Sequence, residues 1–161
     1  MPQYTLKNTT KISSEKIRAI IDCVSPKNIK FKLKIQPMIC DKTAVDGLTY
    51  CDIIGRCNVI ISIRDNIQYP KLGYPRHLEQ YGYTPNIYLK SQEELLVAVI
   101  AHELRHVWQF TKSSRANTYF IEGKTYSYID VANELTVVNY RIERDACIYA
   151  KKMLHNYRKY S

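Results

Sequence analysis

Apolar residues recur along this chain with two periods, and their succession predicts an α+β domain. Ile17, Ile20, Ile21 and Val24 follow i, i+3, i+4, i+7 spacing behind a capping Ser13 or Ser14, which predicts a helix stopped by Pro26. Ile29, Phe31, Leu33 and Ile35 then alternate with Lys30, Lys32 and Lys34. That period of two predicts a strand with one face in water, limited by Pro37. Residues 49–54 and 57–63 read as two more strands, joined at a tight turn through Gly55 and Arg56 in a small, meander-like sheet. Residues 1–12 are polar and read as a partly frayed terminus.

The pattern changes at Arg64. Residues 64–85 are dense in proline, glycine and tyrosine and lack apolar periodicity, as in a long surface loop able to shape a cleft. No spacing rule places His77 in that loop, so it is not expected to bind a metal. Residues 86–90, with Ile87 and Leu89 on one face, read as a short strand; at a sheet edge it could pair with an extended peptide. Ser91 followed by Glu94 forms a capping box ahead of the unbroken apolar run from Leu95 to Ala101, which predicts a helix buried nearly all round. Residues 112–117 are a polar break. Residues 119–121 and 124–128 flank Glu122 and Gly123 as a hairpin. Asp130 then caps a last long helix in which Leu135, Val138, Ile142, Ala146, Tyr149 and Met153 recur at three or four residues.

At 161 residues the chain is expected to form one domain, residues 1–161, with a core that needs no disulfides. There is no apolar run after Met1 and none of membrane-spanning length, so neither a signal peptide nor a membrane partner is expected. A soluble intracellular protein is the resulting expectation. Its five cysteines, Cys23, Cys40, Cys51, Cys57 and Cys147, are odd in number and show no CxxC spacing, which favours reduced thiols. The net charge of +9 raises nucleic acid or an acidic protein as a partner. The basic residues fall in two groups: Lys30, Lys32 and Lys34 on one strand, and Lys151, Lys152, Arg158 and Lys159 near the end of the last helix. Solvated faces are the first reading of both groups, and a polyanion-binding surface the second.

The chemistry concentrates in the buried helix. His102 and His106 stand four residues apart, so on a helix of 3.6 residues per turn both imidazoles reach one ion from adjacent turns. Neutral imidazole suits zinc, and Glu103, one step round, is placed to take a proton from an activated water rather than to be a third ligand. Two histidines and a glutamate inside a buried helix are costly unless something satisfies them, and a metal does so. A further protein ligand is required. Glu143 on the last helix shares a face with Ala146 and Ala150, whose small side chains permit close approach of another helix. His155, Glu134, Glu122 and Asp145 are alternatives.

The run AHELRHVWQ followed by ExxA resembles the zincin metallopeptidases, and among them the gluzincin type, including small phage, viral or mobile-element metallopeptidases. The resemblance covers about a third of the chain. It implies a zincin-like α+β fold with a small mixed or antiparallel sheet, and one Zn2+ held by His102, His106 and Glu143. It also implies hydrolysis of peptide or protein substrates, with Glu103 as general base toward a zinc-bound water, in a host cytoplasm or virion. Two positions depart from the pattern. Arg105 is charged where relatives favour uncharged residues, and Cys147 stands where many carry an Asp or Asn that orients a ligand. Gln109 and Lys112 exclude the longer metzincin pattern. The second reading is a zincin-like binding or regulatory domain with weak or no peptidase activity and a basic surface for nucleic acid.

Overall fold

A computed structural model describes residues 1–38, 45–52, 55–64, 89–112, 118–121, 124–127 and 137–160. Their elements are β1 (Gln3–Asn8), α1 (Ser14–Val24), β2 (Lys30–Pro37), β3 (Val45–Cys51), β4 (Cys57–Ile63), α2 (Gln92–Lys112), β5 (Thr118–Ile121), β6 (Lys124–Ser127) and α3 (Val137–Tyr160). Four strands form a mixed sheet of order β1-β2-β4-β3, while β5 and β6 form the separate antiparallel hairpin expected from the sequence. In the large sheet β1, β2 and β4 run parallel, and β3 is antiparallel to β4 at the edge.

This corrects the expected meander. Strands β2 and β4 carry continuous rows of buried apolar side chains, Phe31, Leu33 and Ile35 beside Val59, Ile61 and Ile63, so they take the centre of the sheet. Strand β3 places Gly47 and Thr49 on the same face and takes the edge. Its bounds also differ from expectation, since pairing begins at Val45 and ends at Cys51. The turn that follows is closed by Gly55 N–H donating to the Asp52 carbonyl at 2.9 Å and Asp52 N–H donating to the Arg56 carbonyl at 3.1 Å. Gly55 there adopts φ +77°, a left-handed conformation that favours glycine.

The N-terminus is corrected as well. Gln3–Asn8 is a strand, because Tyr4 and Leu6 alternate with polar residues and pack on the core while the backbone pairs with β2. The two-residue alternation was present but too short to outweigh the polar composition around it.

Cysteine pairing supplies a third correction to the expectation of reduced thiols. Cys51 and Cys57 face each other in the β3–β4 ladder and form a disulfide. Cross-strand adjacency produces this bridge, and a search for CxxC spacing cannot see it. Cys23 and Cys147 are thiols.

The helices share a single core with the inner face of the sheet: α2 packs against β3 and β4, and α1 and α3 pack against α2. Helix α1 is capped by Ser13, whose side chain accepts from Lys16 N–H, and contributes Ile17, Ile20, Ile21 and Val24 as expected. Helix α2 is capped by Ser91, whose Oγ accepts from Glu94 N–H at 3.2 Å. Glu94 reaches back one residue beyond the cap, to Lys90 N–H at 2.6 Å, and is held there by Arg158 from α3 at 2.7 Å. Residues Leu95 to Ala101 are all buried, as the apolar run predicts. The expected loop with His77, residues 86–88 of the expected strand, and the Asp130 cap lie outside the described residues; Leu89 and Lys90 lead into α2 without strand structure. No helix among the described residues is long and apolar enough to cross a membrane.

Ile100 is 0 % exposed at the centre of this core. Ile100→Ala is expected to cost about 2–5 kcal/mol in urea denaturation, whereas Ile148→Ala, at a half-exposed position, should stay within about 0.5 kcal/mol. The Cys51–Cys57 bridge closes a short loop, for which chain entropy gives about 2 kcal/mol. Unfolding with and without reductant reads this directly, and coincident urea midpoints would contradict it.

Candidate metal centre

Helix α2 presents His102 and His106 on one face, and α3 carries Glu143 across from them. The two Nε2 atoms are 3.1 Å apart. Glu143 Oε2 lies 3.2 Å from His102 Nε2, and Glu143 Oε1 lies 3.4 Å from His106 Nε2. Three ligands at the usual ~2.0–2.1 Å from a tetrahedral ion stand about 3.4 Å from one another, so these spacings fit the edges of such a site. The side chains are largely out of water, at 13 %, 12 % and 27 % exposure. The trio can hold a metal ion. Close approach of α3 is possible because Ala146 and Ala150 are fully buried beside α2.

The electrostatics follow from this crowding. Burial alone would raise the Glu143 carboxyl, but the facing imidazoles outweigh it and hold the group far below the ordinary carboxylate range. Burial alone would lower His106, but the Glu143 charge prevails and lifts it to about 9 in the metal-free chain.

An outer layer of hydrogen bonds fixes the rings. Gln109 is fully buried and its Nε2 donates to the Ile142 carbonyl at 3.1 Å and to Asp145 Oδ2 at 2.9 Å. Its Oε1 is left to face His106 Nδ1 at 2.8 Å, so that nitrogen carries the proton and the Nε2 lone pair of a neutral ring points into the site. Asp145 is held in turn by Arg105, whose Nε and Nη2 donate at 2.7 and 3.1 Å. Arg105 thus turns away from the trio and lies over the Trp108 ring, 3.8 Å from its centroid. The charge between the two histidines therefore supports the site rather than disturbing it. Cys147 is fully buried with Sγ 3.8 Å from His102 Nδ1, where an outer partner of that ring belongs. A thiol there is a weaker acceptor than a carboxylate.

Glu103 stands apart from the ligand trio, as its position on the helix predicts, and is 6 % exposed. Thr49 on β3 donates its hydroxyl to Glu103 Oε2 at 2.6 Å. Beside it, a Cβ added to Gly47 would fall 2.3 Å from Glu103 Oε1. Only glycine leaves the carboxylate its place.

Among the alternative ligands, His155 is exposed on α3 and outside the trio, and Asp145 is engaged by Arg105. Glu122 and Glu134 lie outside the described residues. Sequence reasoning missed Thr49 and Gly47 in this role, and the part played by Gln109 and Asp145. Gln109, three residues after His106, was within reach of helical spacing; the β3 contacts carry no sequence signal. Comparison with known proteins gives no matching family model, no matching curated protein and no matching solved structure.

Ligand protonation sets a pH dependence. In the metal-free chain, the raised His106 contributes stability that is fully present below its ordinary value near 6.5 and lost as pH rises through about 9. The depressed Glu143 contributes stability present above its ordinary value near 4.5 and lost as pH falls below it. A metal must displace the His106 proton, so the affinity of metal-depleted protein for zinc should rise between pH 7 and 9 by up to about tenfold per unit, then level. Calorimetric titration in buffers of different ionisation enthalpy reads the released proton. An affinity flat across that window would contradict the assignment.

Proposed function

We propose that this chain is a zinc metallopeptidase with a zincin-like, gluzincin-type site, in which His102, His106 and Glu143 hold the metal and Glu103 is the general base. The observation that carries this reading is the convergence of two imidazole nitrogens and a carboxylate at tetrahedral spacing, with a separate buried carboxylate one helical step away. Two nitrogens and one carboxylate oxygen match the protein ligands of catalytic zinc, which keeps a further position open. When bound, zinc supplies Lewis acidity to a carbonyl oxygen and lowers the pKa of a coordinated water.

The chain's own residues do the rest. Glu103 accepts a proton from the attacking water and returns it to the leaving amine as the peptide bond breaks. Thr49 and the bare Cα of Gly47 hold that carboxylate in a single orientation. Gln109, backed by Asp145 and Arg105, keeps the His106 ring turned toward the metal. Strand β3 is an edge strand among the described residues and packs against α2 beside Glu103. An extended peptide can add to such an edge through main-chain hydrogen bonds and lie next to the general base.

Purified protein should contain about one zinc per chain. Glu103→Gln should retain that zinc while cleaving a library of unstructured peptides at least about 100-fold more slowly than the native chain. Retained cleavage in Glu103→Gln would remove Glu103 from the mechanism. Zinc-loaded native protein that cleaves nothing would leave the binding or regulatory reading in its place.

A further inference from the structure

Among the described residues, the outer face of the sheet takes no part in the metal centre. The helices share their core with the inner face, and the ladder register arranges the outward positions in rows across the strands. One row runs Thr5, Lys32, Asn58, Tyr50, and the next runs Lys7, Lys34, Ile60, Leu48. Lys30 continues the basic column on β2, beside Gln3. Lys7, Lys30 and Lys32 are exposed, as are Tyr50 at 49 % and Leu48 at 55 %. The face therefore carries lysines on β1 and β2, and Asn58, Ile60, Tyr50 and Leu48 on β4 and β3. In the ladder Asp46 pairs with Ser62.

We propose that this face binds single-stranded nucleic acid, with the lysine column along the phosphates and Tyr50 under a base. Lys32 and Lys34 are two strand residues apart, about 6.6 Å, a repeat comparable with successive phosphates of an extended strand. Two strand spacings, about 10 Å, separate the lysine column from Tyr50, which leaves room for sugar and base between them. Asn58 sits midway in the same row, where it can hydrogen-bond a base edge. A half-exposed tyrosine beside lysines is the combination of stacking platform and basic track that single strands require. An acidic protein would use the lysines but gives no reason for an exposed ring and leucine in the same rows. Duplex fits poorly: four strands span about 14 Å, more than the ~12 Å major groove that admits a two-stranded ribbon. The chain's net charge of +9 adds a long-range attraction of the same sign. Neither metal binding nor catalysis enters this argument.

The test is fluorescence anisotropy of a labelled 20-nucleotide single strand with the full chain over a range of salt concentrations. Binding should weaken with a log–log slope of roughly −2 to −3, near 0.7 for each phosphate engaged. The double substitution Lys32→Gln, Lys34→Gln should shrink that slope by about 1.4. Tyr50→Thr should weaken binding roughly tenfold with the slope unchanged, and Tyr50→Trp should restore it. Lys151→Gln with Lys152→Gln, exposed on α3, should bind as the native chain does. Circular dichroism establishes that each variant is folded. No salt-dependent binding by the native chain would overturn the proposal. So would loss of binding in the α3 variant with the sheet variants unaffected. Polyglutamate binding as tightly as the oligonucleotide, with Tyr50→Thr neutral toward both, would also overturn it and identify an acidic protein as the partner.

Discussion

A carboxylate facing two imidazoles across the seam between α2 and α3, largely withheld from water, is the interaction on which the rest of this structure depends. Charged and polar groups in such a place are destabilising unless each finds a partner. Here Glu143 and His106 satisfy one another in the metal-free chain, which is why one is driven far down and the other up to about 9. The same lone pairs, once the His106 proton leaves, converge on a single point. Stability without metal and affinity for it are thus two uses of one arrangement, in competition for one proton.

Much of the surrounding sequence keeps that seam narrow and its rings oriented. Ala146 and Ala150 let the helices approach, and the seven apolar residues ahead of His102 anchor α2 in the core, leaving little freedom for its C-terminal half. Farther down the same helix, Arg158 on α3 clasps Glu94 at the start of α2. At the site itself, Arg105, Asp145 and Gln109 form a chain of hydrogen bonds that ends on His106. The helices are joined at the site and again at the opposite end, so a metal would enter a frame already set.

The sheet contributes differently on its two faces. On the inner face, β3 brings a threonine hydroxyl and a glycine against Glu103, so an edge strand of modest hydrophobicity controls the orientation of the one carboxylate left out of the trio. On the outer face the same strand turns Tyr50 and Leu48 away from the core, in line with the lysines of β2. A period-two strand allows both roles, since neighbouring residues point to opposite sides.

By itself the sequence determined the elements whose signals are local. Periodicity gave α1, β2, β4 and the buried run of α2, and four-residue spacing put His102 and His106 on one face, because helix and strand geometry repeat over a few residues. It also nominated Glu143, through the small residues that share its helical face. Tertiary structure decided what depends on residues distant along the chain. Strand order made the sheet mixed instead of a meander, β2 pairing turned Gln3–Asn8 into a strand, and the β3–β4 ladder brought Cys51 to Cys57. Helix packing delivered Asp145 to Gln109 and Arg105, and sheet packing delivered Thr49 and Gly47 to Glu103. Those contacts join residues 36 to 56 positions apart. Their energy comes from burial and register shared over many side chains, which leaves no periodic mark on the sequence near either partner.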